Sequence, residues 1–245
     1  EYDVLAALGD IYLRNRAKDQ ALRMFTFALP LASDKNHARL SLAWIHLSDS
    51  SVSEANVHLD EILSVNPSYP GVNRLRGDSY LIEGRLQDAL RHYEAERAAG
   101  DKSPELLGNM AELRYSLQDW KGAQRDYTAY IRARPDDARS YYRLALISLQ
   151  LGAVQDGEGY LRKGLSLGNP DPELFLLFGS RYAEMKKFSA AAEAYNQCLV
   201  LSPGRAQAYR GLADAYEQWG RDSSAAATRM SLYETDRQAH HHLAD

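Results

Sequence analysis

The sequence predicts an all-α fold, an α-solenoid of tandem helix–turn–helix units, and three observations carry that prediction. A 34-residue period runs through the whole chain, apolar and small residues recur inside it at helical spacing, and polar or proline breaks fall at fixed places. The register is set by Gly9, Ala43, Gly77, Ala111, Ala145, Gly179 and Ala213, each 34 residues after the last. Twelve residues beyond them stand Ala21, Ala55, Ala89, Ala123, Gly157, Ala191 and Ala225. Four further on come Phe25, Leu59, Tyr93, Tyr127, Leu161, Tyr195 and Arg229. Seven units follow without insertion, at 2–35, 36–69, 70–103, 104–137, 138–171, 172–205 and 206–239, as one solenoid over 1–245.

The first helix of each unit carries the register residue. Ala or Gly there lets two helices approach closely, because a larger side chain would push the axes apart. A short polar break such as Arg14-Asn15-Arg16 or Glu184-Met185-Lys186 suits a tight turn into the second helix. That second helix is patterned as in Phe188, Ala191, Ala192, Tyr195 and Leu199. Pro67, Pro135 and Pro203, with Pro170 one place late, then stop it and open the next pair. A single pair cannot bury both of its faces, so neighbours must stack. Gly157, Gly159 and Gly164 mark the second helix of repeat 5 as the expected softest joint, since Gly in a helix costs about 1 kcal/mol relative to Ala. The closing residues 240–245 resemble the Leu212-Ala213-Asp214 opening of a first helix and are expected to begin a further repeat.

These residues resemble the tetratricopeptide repeat family, whose 34-residue signature runs large residue, Leu-Gly, Tyr, Ala, aromatic, Pro. The closest copies are Leu8-Gly9 with Tyr12, Phe178-Gly179 with Tyr182, and Leu212-Ala213 with Tyr216. Repeat 4 departs with Arg114 in place of Tyr, and repeat 7 with Arg229 in place of the aromatic. The resemblance implies a right-handed superhelix whose first helices line a concave groove. It places the second, fifth, sixth, ninth, twelfth and thirteenth positions of each repeat inward.

Two groove features follow from that placement. The twelfth position reads Leu13, Leu47, Leu81, Tyr115 and Leu149 over five repeats, with Trp44 and Leu146 at the ninth. This is either a docking strip for a peptide or helix, or packing against the next repeat. Peptide-binding members of the family also hold a partner's C-terminal carboxylates with a Lys-Asn-Asn-Lys-Arg clamp. Here the matching positions carry Arg74, Asp78, Asn109, Arg139 and Arg143, with Tyr142 beside them. Arg grips a carboxylate through two parallel bonds and keeps its charge at any working pH. Asp78 opposes such a clamp unless Arg74, one turn away, neutralises it. A clamp, a general Arg-lined groove and a solvated face all stay open at this stage.

Composition narrows the function classes. A hydrophobic share of 45% and a charged share of 25% fit a folded chain rather than a disordered one. Lys+Arg 29 against Asp+Glu 33 gives a net charge of −4, which argues against nucleic-acid and anionic-membrane binding, although 22 of the basic residues are Arg. No apolar run reaches the roughly 18 residues needed to cross a bilayer. The single cysteine, Cys198, excludes an intramolecular disulfide and reads as a buried, inert thiol. No phosphate loop, nucleophile elbow or zinc-spaced His pair occurs among His37, His46, His58 and His92. Gly157-Glu158-Gly159 lacks the strand that a dinucleotide loop requires, and His240, His241 and His242 read as a terminal run.

The expectation is therefore a non-catalytic scaffold with no cofactor and no metal, binding a peptide or helical segment of a partner protein. The alternative is an accessory of bacterial cell-envelope assembly or secretion, or the repeat portion of a larger enzyme or exporter. The start at Glu1 rather than Met points to a trimmed upstream segment. Compartment stays open between the cytoplasm and the bacterial periplasm or outer membrane, and so does oligomeric state.

Overall fold

A computed structural model describes residues 1–168 and 170–241. Among the described residues there are fourteen α-helices, one short 3-10 helix and no strand. The chain divides into two compact units, Glu1–Asp126 and Tyr127–Asp245.

The first unit holds α1 (Tyr2–Arg14), α2 (Lys18–Ala28), the 3-10 helix Leu29–Leu31, α3 (Asn36–Ser48), α4 (Val52–Val65), α5 (Val72–Ile82), α6 (Leu86–Ala98) and α7 (Pro104–Ser116). The boundary falls inside α8 (Trp120–Ala133). The second unit continues with α9 (Ala138–Gln150), α10 (Val154–Leu167), α11 (Pro172–Glu184), α12 (Phe188–Leu201), α13 (Ala206–Gln218) and α14 (Asp222–His241). The odd helices begin at or within two residues of the expected repeat starts. The helices α4, α8, α10 and α12 end two or three residues before Pro67, Pro135, Pro170 and Pro203. Helix α14 runs unbroken to His241, into the segment expected to open a further repeat; 242–245 lie outside the described residues.

The helices are joined within each pair by one recurring device. Arg16, Ser50, Gly84, Gln118, Gly152, Lys186 and Gly220, again 34 residues apart, all have positive φ between 58° and 78°. In the first pair the Arg16 N–H donates to the Leu13 carbonyl at 3.0 Å and the Ala17 N–H to the Tyr12 carbonyl at 2.9 Å. That double closure satisfies carbonyls a helix end would leave bare, and it recurs at every one of the seven turns.

Packing between repeats follows an equally regular rule. Ala38, Leu42 and Ile45 of α3 cluster with Ala21 and Phe25 of α2. The same three positions of α7, Leu106, Met110 and Leu113, cluster with Ala89 and Tyr93 of α6. In α13 they are Ala208, Leu212 and Ala215, set against α12. Each first helix thus lays one apolar face on the second helix of the repeat before it. The glycines of repeat 5 divide by role: a Cβ on Gly164 would lie 2.4 Å from the Tyr142 ring and one on Gly157 3.1 Å from the Ala145 carbonyl, while Gly159 has nothing within 4 Å. Two of the three are sites of close approach.

Candidate functional site

The first helices of the first unit carry Trp44, Leu47, Arg74, Asp78, Leu81, Asn109 and Tyr115. Trp44 is 44% exposed, although its helical neighbours Ala43 and Ile45 are buried. Leu47 is buried in a cluster with Val72 and Leu75 of the next first helix, and half-buried Leu81 packs against the Leu106–Met110–Leu113 cluster. The twelfth-position leucines therefore join repeat to repeat, and Trp44 is the groove aromatic that stays open. Tyr115 is half-buried and meets Trp120 edge to face at 5.4 Å.

Arg74 sits in the first turn of α5, and what lies beneath it was not legible in the repeat pattern. Glu96 of α6, buried at 3% exposure, accepts from the backbone N–H groups of Gly71 (2.6 Å), Asn73 (3.1 Å) and Arg74 (3.2 Å). The carboxylate fills the donor-rich start of α5 from within, as a capping side chain does. The Arg74 guanidinium takes part in no ion pair among the described residues. It lines a cleft of about 470 Å³ with Leu40, Pro70, Gly71 and Ala99.

Asp78 faces the other way. The Tyr93 hydroxyl donates to its carboxylate at 2.5 Å, and the Asn109 side chain lies beside the same hydroxyl. Burial pushes the Asp78 carboxyl above its ordinary value, with the Tyr93 bond and the Arg74 charge opposing that rise. The Tyr93 phenol is likewise pushed up by burial and by the Asp78 charge. Asp78 is thus tied into the repeat by Tyr93. The signal for this was available: Tyr93 occupies the aromatic position of its repeat, and its hydroxyl needs an acceptor.

Arg139, Tyr142, Arg143 and Leu149 belong to the second unit, all on α9. Tyr142 is buried, its ring against Gly164 and its hydroxyl donating to the Gly168 carbonyl at 2.9 Å. Leu149 is buried in the cluster with Leu174, Phe175 and Phe178. Arg139 is exposed and Arg143 half-buried, and both already have interaction partners. Cys198 is fully buried, and burial pushes its thiol up, away from the reactive thiolate. Among the described residues no three His, Cys, Asp or Glu side chains gather as a metal site, and no helix is long and apolar enough to cross a membrane.

The tetratricopeptide repeat family model matches residues 109–172 and 176–230. The chain is a tetratricopeptide-repeat protein. Among tetratricopeptide-repeat structures, its fold is similar to that of YrrB, described as a TPR protein with an unusual peptide-binding site. The TM-score is 0.71 and the identity 16%, over 76% of this chain and 96% of that one. It is also similar to PilF of Pseudomonas aeruginosa, with a TM-score of 0.63 and 17% identity over 87% and 97% of the two chains. In sequence it is 27% identical over 169 residues to Hsp70-Hsp90 organizing protein 1 of Glycine max, covering 65% of this chain but only 30% of that relative. The tetratricopeptide-repeat chain thus spans under a third of the relative it matches.

Proposed function

We propose that this chain is a non-catalytic interaction scaffold that holds a segment of a partner protein on the first helices of its first unit. The observation that carries the reading is the pairing of an open Trp44 ring with an ion-pair-free Arg74 on successive first helices. An exposed Trp and an uncommitted Arg are the residue types on which binding energy concentrates. Preformed helices also lower the ordering cost of an extended partner. The segment this site suits has an apolar or aromatic side chain for Trp44 and a carboxylate for Arg74. Asp78 does not oppose that carboxylate directly, because its own group is bound to Tyr93. The peptide-binding character of YrrB and the chaperone-organising name of the soybean relative point in the same direction.

The reading is tested with twelve-residue peptides, each bearing one aromatic and two acidic residues, titrated against the wild type, Trp44→Ala and Arg74→Glu. Binding weakened at least tenfold in both variants supports it. Equal affinity in all three proteins overturns it.

A further inference from the structure

The first and last helices carry the two halves of an interface that the chain repeats internally. The third, seventh and tenth positions of a first helix are occupied in α1 by Val4, Leu8 and Ile11, at 64%, 38% and 47% exposure. Their counterparts Ala38, Leu42, Ile45, Leu106, Met110 and Leu113 are all at most 4% exposed, because α2 or α6 covers them. The element that covers this face elsewhere is therefore the second helix of a repeat.

The complementary half is on α14. The ion pair between Arg76 of α5 and Asp60 of α4 shows which positions meet across an internal seam. Arg76 occupies the position of Leu8, and Asp60 occupies the position of Met230. At that second position the six internal repeats carry Thr26, Asp60, Glu94, Thr128, Arg162 and Asn196, all polar. Only the final copy is apolar: Met230 is 60% exposed, and Tyr233, one turn on, is 64% exposed. A helix ending an array in water carries a polar outer face. Here both faces are apolar where the internal seams mix apolar and charged contacts.

We propose that a second copy of this chain covers α1, presenting the outer face of its α14 so that Leu8 of one copy meets Met230 of the next. The contact continues the internal repeat seam between molecules. It is heterologous, joining head to tail, so it propagates along a row of copies rather than closing at two. This surface is distinct from the Trp44–Arg74 site and does not depend on it.

Sedimentation velocity on the 245-residue chain tests this, from micromolar to near-millimolar concentration, with Leu8→Glu and Met230→Glu beside the wild type. Both substitutions fall on exposed side chains, and circular dichroism verifies that the variants keep the fold. The wild type is expected to grow past twice its 27.5 kDa as concentration rises. Each variant alone is expected to stay monomeric, since one of its two contact faces is spoiled. An equimolar mixture of the two variants retains one good face of each kind and is expected to form a dimer and nothing larger. A wild type that stays monomeric throughout, or stops at a dimer, overturns the proposal. So does either variant assembling as the wild type does, which also covers the case of a different helix being the natural occupant.

Discussion

Tyr195 lies between two glycines, and its position explains why neither can be larger. A Cβ on Gly179 would sit 2.7 Å from the ring, and one on Gly211 only 2.4 Å. The ring of a second helix thus enters the space left by two successive first helices. Gly179→Ala and Gly211→Ala are each expected to lower unfolding free energy by about 1–3 kcal/mol, measured by urea denaturation, as overpacking does. The period made Gly179 legible, but Gly211 stands outside the repeated glycine position and only the ring's location reveals its role. The turns give a prediction of opposite sign. Gln118 and Lys186 adopt φ of 58° and 59°, a conformation in which a side chain is strained. Gln118→Gly and Lys186→Gly are expected to raise stability by up to about 1 kcal/mol in the same assay.

The pair of helices is the next scale, and one socket between them is filled by different chemistry from repeat to repeat. In repeat 2 it holds His46 and His58, stacked at 5.8 Å, and in repeat 3 Tyr80 against His92 at 5.4 Å. In repeat 4 it holds Arg114, paired with buried Asp126 at 2.8 Å and also with Glu94 and Asp119. Arg114 in place of the usual tyrosine was visible in the sequence. Its partner was not, because Asp126 lies on the following helix and nothing local marks it. Breaking a buried pair leaves a charge without its counter-ion, so Arg114→Ala is expected to cost about 3 kcal/mol or more. Adding Asp126→Ala to Arg114→Tyr, which restores the usual residue, is expected to recover most of that loss by the same measurement.

The histidine socket predicts a pH dependence. Burial holds His58 below its ordinary value of 6.5; His46 and Arg39 add to the effect and Glu61 opposes it. A lowered histidine contributes stability that is present above 6.5 and lost as pH falls through the lower folded value. Asp78, raised by burial, acts with the opposite sign, so the informative quantity is a difference between proteins. His58→Leu is expected to lose less thermal stability than the wild type between pH 7 and pH 5. An identical fall in both would remove His58 as a source.

At the scale of the whole molecule, the 34-residue period dictated the order of helices, the places where they end and the faces they bury. It did so because each of those properties is local and recurs in every copy. The site was less legible. Periodicity assigns a residue to a face but does not say whether a neighbouring repeat already covers it. Leu47, Tyr142 and Leu149 carry groove positions and yet are buried, whereas Trp44 on the same face remains open. The charge of −4 is also a sum that hides the ion-pair-free Arg74.

The most direct test of the scaffold reading places a photo-crosslinking amino acid at position 44, with position 57 as the control. Val57 is 59% exposed on α4, a second helix of the same unit. Irradiation with the aromatic–acidic peptides is predicted to give a crosslinked product at position 44, weakened at least tenfold by Arg74→Glu, and none at position 57. Equal crosslinking at both positions, or crosslinking at 44 that is indifferent to Arg74, would contradict it.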